Sequence, residues 1–174
     1  MMKTHLLLFK LIIIIVFTGC SSNSNEDDNT GFMRAKIDGV AWEANEIIIS
    51  NLNVFDLQNF QQYSLQGGNE NFKIAIAINE QIASNCSTVT THSGITVQMS
   101  YSYILESGNF VTEYFNNNSD VDTQSDLIIN VTACDDGIIS GTFSGTLYRV
   151  NSSNDTISIT DGEFNNIEFI INNN

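Results

Sequence analysis

Proline is absent from the 174 residues of this chain. Because proline is one of the residues that keep exposed strands from pairing with other chains, a β protein of this sequence must protect its sheet edges by charge, bulges or closure. Basic residues are also scarce, with 6 lysines and arginines against 20 aspartates and glutamates and a net charge of −14. Nucleic-acid binding needs a basic surface, so we expect no nucleic acid partner.

Recognisable catalytic motifs are lacking as well. His92 is the single histidine after the N-terminal apolar run, no Gly-x-Ser-x-Gly nucleophile elbow is present, and no His and Cys spacing is typical of a zinc site. Five glutamates show no arrangement that singles out the acid and the nucleophile of a glycosidase: Glu43, Glu106, Glu113, Glu163 and Glu168. We therefore predict a protein that is not an enzyme.

No apolar run is long enough to cross a bilayer, which takes roughly 20 residues. The longest run, Leu6–Phe17, is interrupted by Lys10 and preceded by Lys3. A basic start, a short apolar core and small residues before a cysteine are typical of a secretory signal peptide. We assign residues 1–19 to this leader.

The residues at the end of the leader, Phe17-Thr18-Gly19-Cys20, resemble the box at which bacterial lipoproteins are acylated and cleaved. The resemblance implies that Cys20 becomes the mature N-terminus and anchors the protein to a membrane, since two or more acyl chains hold stably. Residues 20–30 then form the lipidated cysteine and an acidic linker without apolar residues, which we expect to be disordered. Acidic residues at 26–28 resemble the surface-export signal of Bacteroidota lipoproteins, so we expect an outer membrane or cell-surface location.

Without its leader the chain has 155 of its 174 residues, 4 basic and 20 acidic residues, and a net charge of −16. This length suits one domain, which we assign to residues 31–174. Short β-branched and aromatic runs alternate with Gly, Asn, Asp and Ser, and no stretch has sustained helical periodicity. The pattern predicts an all-β domain, an antiparallel β-sandwich of about ten short strands, with a closed or partly open β-barrel as the alternative.

Individual segments carry more specific predictions. Asp38-Gly39 predicts a two-residue hairpin turn, and Asp161-Gly162 predicts another turn before the last strand. The apolar residues on both faces of Glu46–Phe55 predict a strand that is covered on both sides. Between Ile139 and Leu147 every second residue is apolar or glycine, and the glycines beside Phe143 leave room for a bend or a large neighbouring ring.

Two cysteines remain once Cys20 is acylated. Cys86 and Cys134 are an even pair in a compartment where disulfides persist, so they are a candidate disulfide. Two buried free thiols are the alternative.

Three stretches occur in a characteristic order: Ala35-Lys36-Ile37-Asp38-Gly39-Val40-Ala41-Trp42, Ile139-Ser140-Gly141-Thr142-Phe143 and Ile159-Thr160-Asp161-Gly162-Glu163-Phe164. Following a lipoprotein box, this combination resembles a family of small Bacteroidota lipoproteins whose domain has no known function. The resemblance covers nearly the whole mature chain. It implies no activity and no catalytic residues.

Two polar features carry binding hypotheses. Asn118, Asp120, Asp122 and Asp126 supply oxygen ligands on one polar segment and form a candidate calcium site, whereas solvated loop acids are the alternative, because the segment departs from the helical calcium-loop motif. Tyr101 and Tyr103 share one face of a predicted strand, where they either stack on sugar rings or pack in the core; their apolar neighbours favour the core.

These observations favour a non-catalytic lipoprotein that binds a glycan or another envelope protein. A polysaccharide-directed hydrolase is the second hypothesis. It requires two buried carboxylates about 5 to 9 Å apart in a cleft. A purely structural envelope component is the third.

Overall fold

A computed structural model gives the structure of residues 31–55, 60–81, 90–105, 107, 109–116, 126–135, 137–152 and 154–173. The predicted leader, Cys20 with its linker, and Cys86 lie outside these residues, as do Asn118, Asp120 and Asp122 of the candidate calcium site. None of the described helices is long and apolar enough to cross a membrane.

Twelve strands make up the described chain, with one turn of 3₁₀ helix at Gly94–Thr96. The strands are β1 Phe32–Ile37, β2 Val40–Glu43, β3 Glu46–Phe55, β4 Phe60–Gly68, β5 Phe72–Gln81, β6 Thr90–Ser93, β7 Val97–Ile104, β8 Phe110–Phe115, β9 Ile128–Asp135, β10 Ile138–Arg149, β11 Thr156–Glu168 and β12 Ile170–Asn173. The predicted all-β class is therefore confirmed, with two strands more than the approximate count.

The strands form two layers of six that are joined at one end of β10. The first layer has the order β12-β3-β4-β5-β7-β8, and the second has the order β6-β9-β10-β11-β1-β2. The layers are linked where Tyr148 and Arg149 at the end of β10 pair with β8. The sheet is not closed into a barrel, which agrees with the predicted sandwich. Every pairing is antiparallel except that of β12 with β3, so the sheet is mixed.

A single hydrophobic core fills the space between the layers. It includes Met33 and Trp42 from the second layer and Leu65, Ile74 and Met99 from the first. These residues alternate with polar or small neighbours along their strands, so each strand gives one side to the core and the other to the outer surface.

The two late motifs of the sequence pair with each other in the second layer. Gly141 lies opposite Phe164, and Phe143 lies opposite Gly162. A Cβ atom at Gly141 would lie 2.5 Å from the Phe164 ring, and one at Gly162 would lie 2.6 Å from the Phe143 ring. The prediction that a β10 glycine makes room for a large ring is correct for Gly141, which faces the Phe164 ring, whereas Gly145 faces the backbone of Leu127.

The Asp38-Gly39 hairpin is also confirmed, with φ angles of 49° and 80° at the two turn residues. The turn predicted at Asp161-Gly162 is wrong, since β11 runs through both residues. Asp161 has a φ of 50° and lies in a β-bulge, where three steps along β11 match two along β1 and β10. The chain instead leaves β11 at Phe169, whose ring packs edge-on against Tyr63 of the other layer at 5.8 Å between centroids.

The prediction that Glu46–Phe55 is covered on both sides is wrong as well. Ile48 and Ile49 of β3 are 38% and 39% exposed, and Leu52 is the one residue of the strand that counts as buried among those with described side chains. A bulge between Ile47 and Ile49 turns two successive isoleucines toward the outer surface. The apolar pattern on both faces of β3 therefore reflects this bulge, and the strand is not covered on both sides.

Candidate functional site

A cavity of about 630 Å³ forms an open groove on the outer surface of β2, β1 and β11. This volume falls in the range of small-molecule sites. The buried residues Ala35 and Trp42 form its floor. Exposed or partly exposed residues of the three strands form its walls: Arg34, Lys36, Ala41, Glu43, Asp161 and Glu163. We call this cavity the ion-pair groove.

Two ion pairs between β1 and β11 give the groove its chemistry. Arg34 Nη2 lies 2.6 Å from Glu163 Oε2, and Lys36 Nζ lies 2.8 Å from Asp161 Oδ2. The hydrogen bond to Asp161, followed by the charge of that carboxylate, raises the pKa of Lys36. Both basic residues are more than half exposed, so water competes with their carboxylates and a ligand can do the same.

Arg34 is held in one orientation from two directions. Its Nε and Nη2 atoms both donate to Glu163 Oε2, at 3.0 and 2.6 Å, and its guanidinium lies 5.0 Å above the Phe32 ring. An arginine has five N–H donors. Three of them are not used by the described residues and can donate to a bound molecule. Such an arrangement provides donors whose positions are set before a ligand arrives.

The alternation of β1 explains why these side chains meet. Met33 and Ala35 point into the core, so Arg34 and Lys36 point outward. The bulge at Asp161 adds one residue to β11 and brings that carboxylate to Lys36. Two of the four basic residues after residue 19 are thus in one groove, although the chain is strongly acidic.

A second cavity of about 260 Å³ continues the ion-pair groove over β10 and β9. Asp161 and Glu163 line both cavities, and the second also contacts Thr142, Ser144 and Ile128. Ile128 is 47% exposed and presents an apolar surface at this end.

The first layer has a smaller cavity on its outer surface. This cavity has a volume of about 190 Å³ and is lined by small residues such as Ala75, Ala77 and Ser100, with Gln66 and Gln98 beside them. Gln66 is 7% exposed. The cavity is too small for more than a chemical fragment, and we do not assign it a ligand.

A cluster of ion pairs outside these cavities surrounds Arg149. Its guanidinium pairs with Glu113 at 2.7 Å and Asp155 at 2.9 Å, and donates to the Tyr114 hydroxyl at 3.1 Å. The Tyr114 hydroxyl in turn donates to Asp155 at 3.2 Å. The hydrogen bond to Tyr114 is the main cause that raises the pKa of Arg149. Because these groups satisfy one another, the cluster joins β8, β10 and the segment before β11 and leaves little for a ligand.

The predicted site residues fall in different parts of the fold. Cys134 of β9 is disulfide-bonded, but the other cysteines of the chain lie outside the described residues, so the Cys86–Cys134 pairing stays a prediction. Asp126 is described, and its two carboxylate oxygens accept from the backbone and the hydroxyl of Thr146 at 2.6 and 2.8 Å. In the described ranges no three His, Cys, Asp or Glu side chains converge on a metal position, and the calcium hypothesis remains untested.

The structure also gives the positions of the tyrosine and glutamate candidates. Tyr101 is 8% exposed and stacks on Phe72 with 5.3 Å between centroids, so the favoured core role of this tyrosine is confirmed. Of the five glutamates, Glu43 and Glu163 line the ion-pair groove. Neither is buried, and the described residues include no pair of buried carboxylates.

The sequence interpretation missed Arg34, Lys36 and Asp161 as a cluster. A signal was present, because Arg34 and Lys36 are two residues apart between apolar neighbours in a chain with few basic residues. Their acidic partners were not predictable, since Arg34 and Glu163 are 129 residues apart in sequence. No protein-family model, curated protein or solved structure matches this chain.

Proposed function

We propose that this protein is a lipid-anchored extracytoplasmic binding protein, held through Cys20 at the outer membrane or cell surface, that binds a glycan in the ion-pair groove. The observation that carries the proposal is the groove itself, a cavity of about 630 Å³ in which an oriented arginine lies beside several carboxylates. Sugar hydroxyl groups both donate and accept hydrogen bonds, so they match a surface that offers donors and acceptors side by side.

Binding is favoured over hydrolysis by the exposure of the carboxylates. Glu163 is ion-paired and its side chain is 35% exposed. A general acid of a glycosidase needs a raised pKa, which burial away from a positive charge would provide. Glu163 has the opposite surroundings, because it is partly exposed to water and lies 2.6 Å from Arg34.

A thermal-shift screen of the purified full-length protein in detergent tests the binding proposal. A neutral glycan at about 100 times its Kd adds about 2.7 kcal/mol to the stability of the native state, which raises the melting temperature by about 5 °C or more. We expect Arg34→Gln and Glu163→Gln to remove most of this shift. Arg149→Gln is the matched control, since it removes an ion-paired arginine outside the groove.

The proposal fails if no neutral glycan raises the melting temperature. It also fails if the groove variants shift as much as the wild-type protein, because binding would then occur elsewhere.

Membrane anchoring is tested separately by metabolic labelling with an alkyne fatty acid. We expect label in the wild-type protein and none in Cys20→Ala, which should leave the membrane fraction. Cys86→Ala is the control. Equal labelling of wild-type protein and Cys20→Ala contradicts the anchor.

A further inference from the structure

The register of the second layer places six outward-facing side chains in one line across six strands. Each residue in the line is the register partner of the next: Glu43, Arg34, Glu163, Thr142, Asn130 and Thr91, on β2, β1, β11, β10, β9 and β6. We call this line the cross-strand row. With neighbouring strands about 4.8 Å apart, its five intervals span about 24 Å.

All six side chains are accessible from the outer surface. Those of Arg34, Glu43, Thr142 and Thr91 are exposed, and those of Glu163 and Asn130 are partly exposed. The ion-pair groove lies over one half of the row, and the second cavity continues over β10 and β9. The two cavities meet at Asp161 and Glu163, so one continuous trough follows the row from Glu43 to Thr142.

Hydrogen-bonding groups of both kinds occur along this trough. Arg34 offers N–H donors, Glu43 and Glu163 offer acceptors, and the hydroxyl of Thr142 offers both. Beyond the trough, at the far end of the cross-strand row, the Thr91 hydroxyl donates to Asn130 Oδ1 at 3.2 Å, which holds the amide in place. Ala41 and Ile128 add apolar surface at the two ends of the trough.

The charges along the trough favour an uncharged occupant. Arg34 is paired with Glu163 and Lys36 with Asp161, so each basic group already has a partner. A polyanionic chain would also meet the overall charge of −16 that remains after the leader. A neutral chain rich in hydroxyl groups needs to displace neither pair.

We infer that the trough binds an extended neutral oligosaccharide that lies across the strands, with several sugar units in contact with the cross-strand row. The inference rests on the proposed glycan binding and specifies the length and direction of the bound chain. A monosaccharide contacts one part of the row, whereas a longer chain also reaches Asn130 and Thr91.

The experiment compares affinity with chain length. Malto-, cello- and laminari-oligosaccharides, each from the monosaccharide to the hexasaccharide, are titrated by calorimetry into the full-length protein in detergent. At least one series should gain about tenfold or more in affinity between disaccharide and hexasaccharide. A neutral Gly-Ser hexapeptide tests for an extended peptide as the occupant instead.

Variants at the far end of the row locate the added units. Asn130→Ala and Thr91→Ala should weaken hexasaccharide binding about fivefold or more and leave disaccharide binding unchanged. Arg34→Gln should weaken both. Gln98→Ala, an exposed residue on the outer surface of the other layer, is the matched control. Thr91 is exposed on an edge strand, so its variant serves if Asn130→Ala does not fold.

The outcomes separate the two proposals. If an oligosaccharide binds with an affinity that does not depend on length, or if the far-end variants weaken disaccharide and hexasaccharide equally, the extended mode is wrong and glycan binding stands. If no series binds, or if the peptide alone binds, both proposals are overturned.

Discussion

At Gly162 the packing of β10 against β11 leaves no room for a side chain. An added Cβ atom would meet the backbone oxygen of Phe143 and, at 2.6 Å, the ring of the same residue. We predict that Gly162→Ala lowers the free energy of unfolding by about 2 to 3 kcal/mol, as overpacking does. Urea denaturation measures the change.

The control for this substitution is Gly94→Ala. Gly94 has a φ of +67° and no atom within 4 Å of an added Cβ, so its substitution costs only backbone strain, about 1 kcal/mol. A loss at Gly162 no larger than the loss at Gly94 would show that β10 and β11 separate easily.

The raised pKa of Tyr101 predicts how the stability of the protein changes in alkaline solution. Burial, followed by the charge of Glu113, raises the pKa of Tyr101 from 10.0 to about 12. Because the folded protein holds this proton more tightly than the unfolded chain, the contribution is fully present below pH 10 and is lost as the pH rises to 12. The loss amounts to about 2 kcal/mol.

Tyr101→Phe removes the ionisable hydroxyl and keeps the ring. The variant should lose less stability than the wild-type protein between pH 10 and 12, as followed by urea denaturation at several pH values. Parallel pH profiles of the two proteins would exclude Tyr101 as the responsible group.

At the scale of single elements, the β1–β2 hairpin is fixed by its turn. Asp38 has a φ of 49°, and its Oδ1 accepts from the backbone N–H of Ser158 on β11 at 2.8 Å. We predict that Asp38→Ala lowers the free energy of unfolding by about 1 to 2 kcal/mol through a lost hydrogen bond and backbone strain. Thermal unfolding followed by circular dichroism measures the change.

Asp38→Asn separates these two causes from the loss of charge. Its amide oxygen can still accept, and asparagine tolerates a positive φ, so the loss should be less than half that of Asp38→Ala. Equal losses would mean that the negative charge, and not the turn geometry, stabilises the hairpin.

The edges of the sheet show how strands are protected without proline. Three strands pair on one side only within the described part of the chain, and each has four residues: β2, β6 and β12. Very short edge strands offer few free hydrogen-bonding groups to another chain. The sequence predicted charge, bulges or closure for this purpose, whereas short edge strands serve it here.

At the scale of the whole molecule, the disulfide of Cys134 constrains the chain. If its partner is Cys86, as the sequence predicts, the bond closes a loop of about 50 residues and stabilises the fold by about 4 kcal/mol in the chain-entropy model. We predict that reduction lowers the free energy of unfolding by about 2 to 4 kcal/mol. Urea denaturation with and without reductant measures this loss.

Peptide mapping under non-reducing conditions identifies the partner. A peptide that joins Cys86 to Cys134 is the expected product. A link between Cys134 and Cys20 would contradict the pairing, and it would also contradict acylation, because a thiol in a disulfide cannot carry a lipid.

Much of the fold could be predicted because it depends on local pattern. The two-residue alternation around Phe143 predicted both the strand and its inward face, and Asp38-Gly39 predicted a turn that needs positive φ angles. Asp161-Gly162 has the same two residue types and forms a bulge inside β11. The aspartate has a positive φ in both pairs, 49° at Asp38 and 50° at Asp161, but the strands on both sides decide whether the chain reverses or continues.

The sequence by itself determined the all-β class, the acidic surface and the inward side of most strands, because alternation and composition are properties of neighbouring residues. Only the tertiary structure decided the ion-pair groove, the cross-strand row and the meeting of Arg34 with Glu163. These depend on which distant strands become neighbours and in which register, and each is set by packing across the whole sandwich.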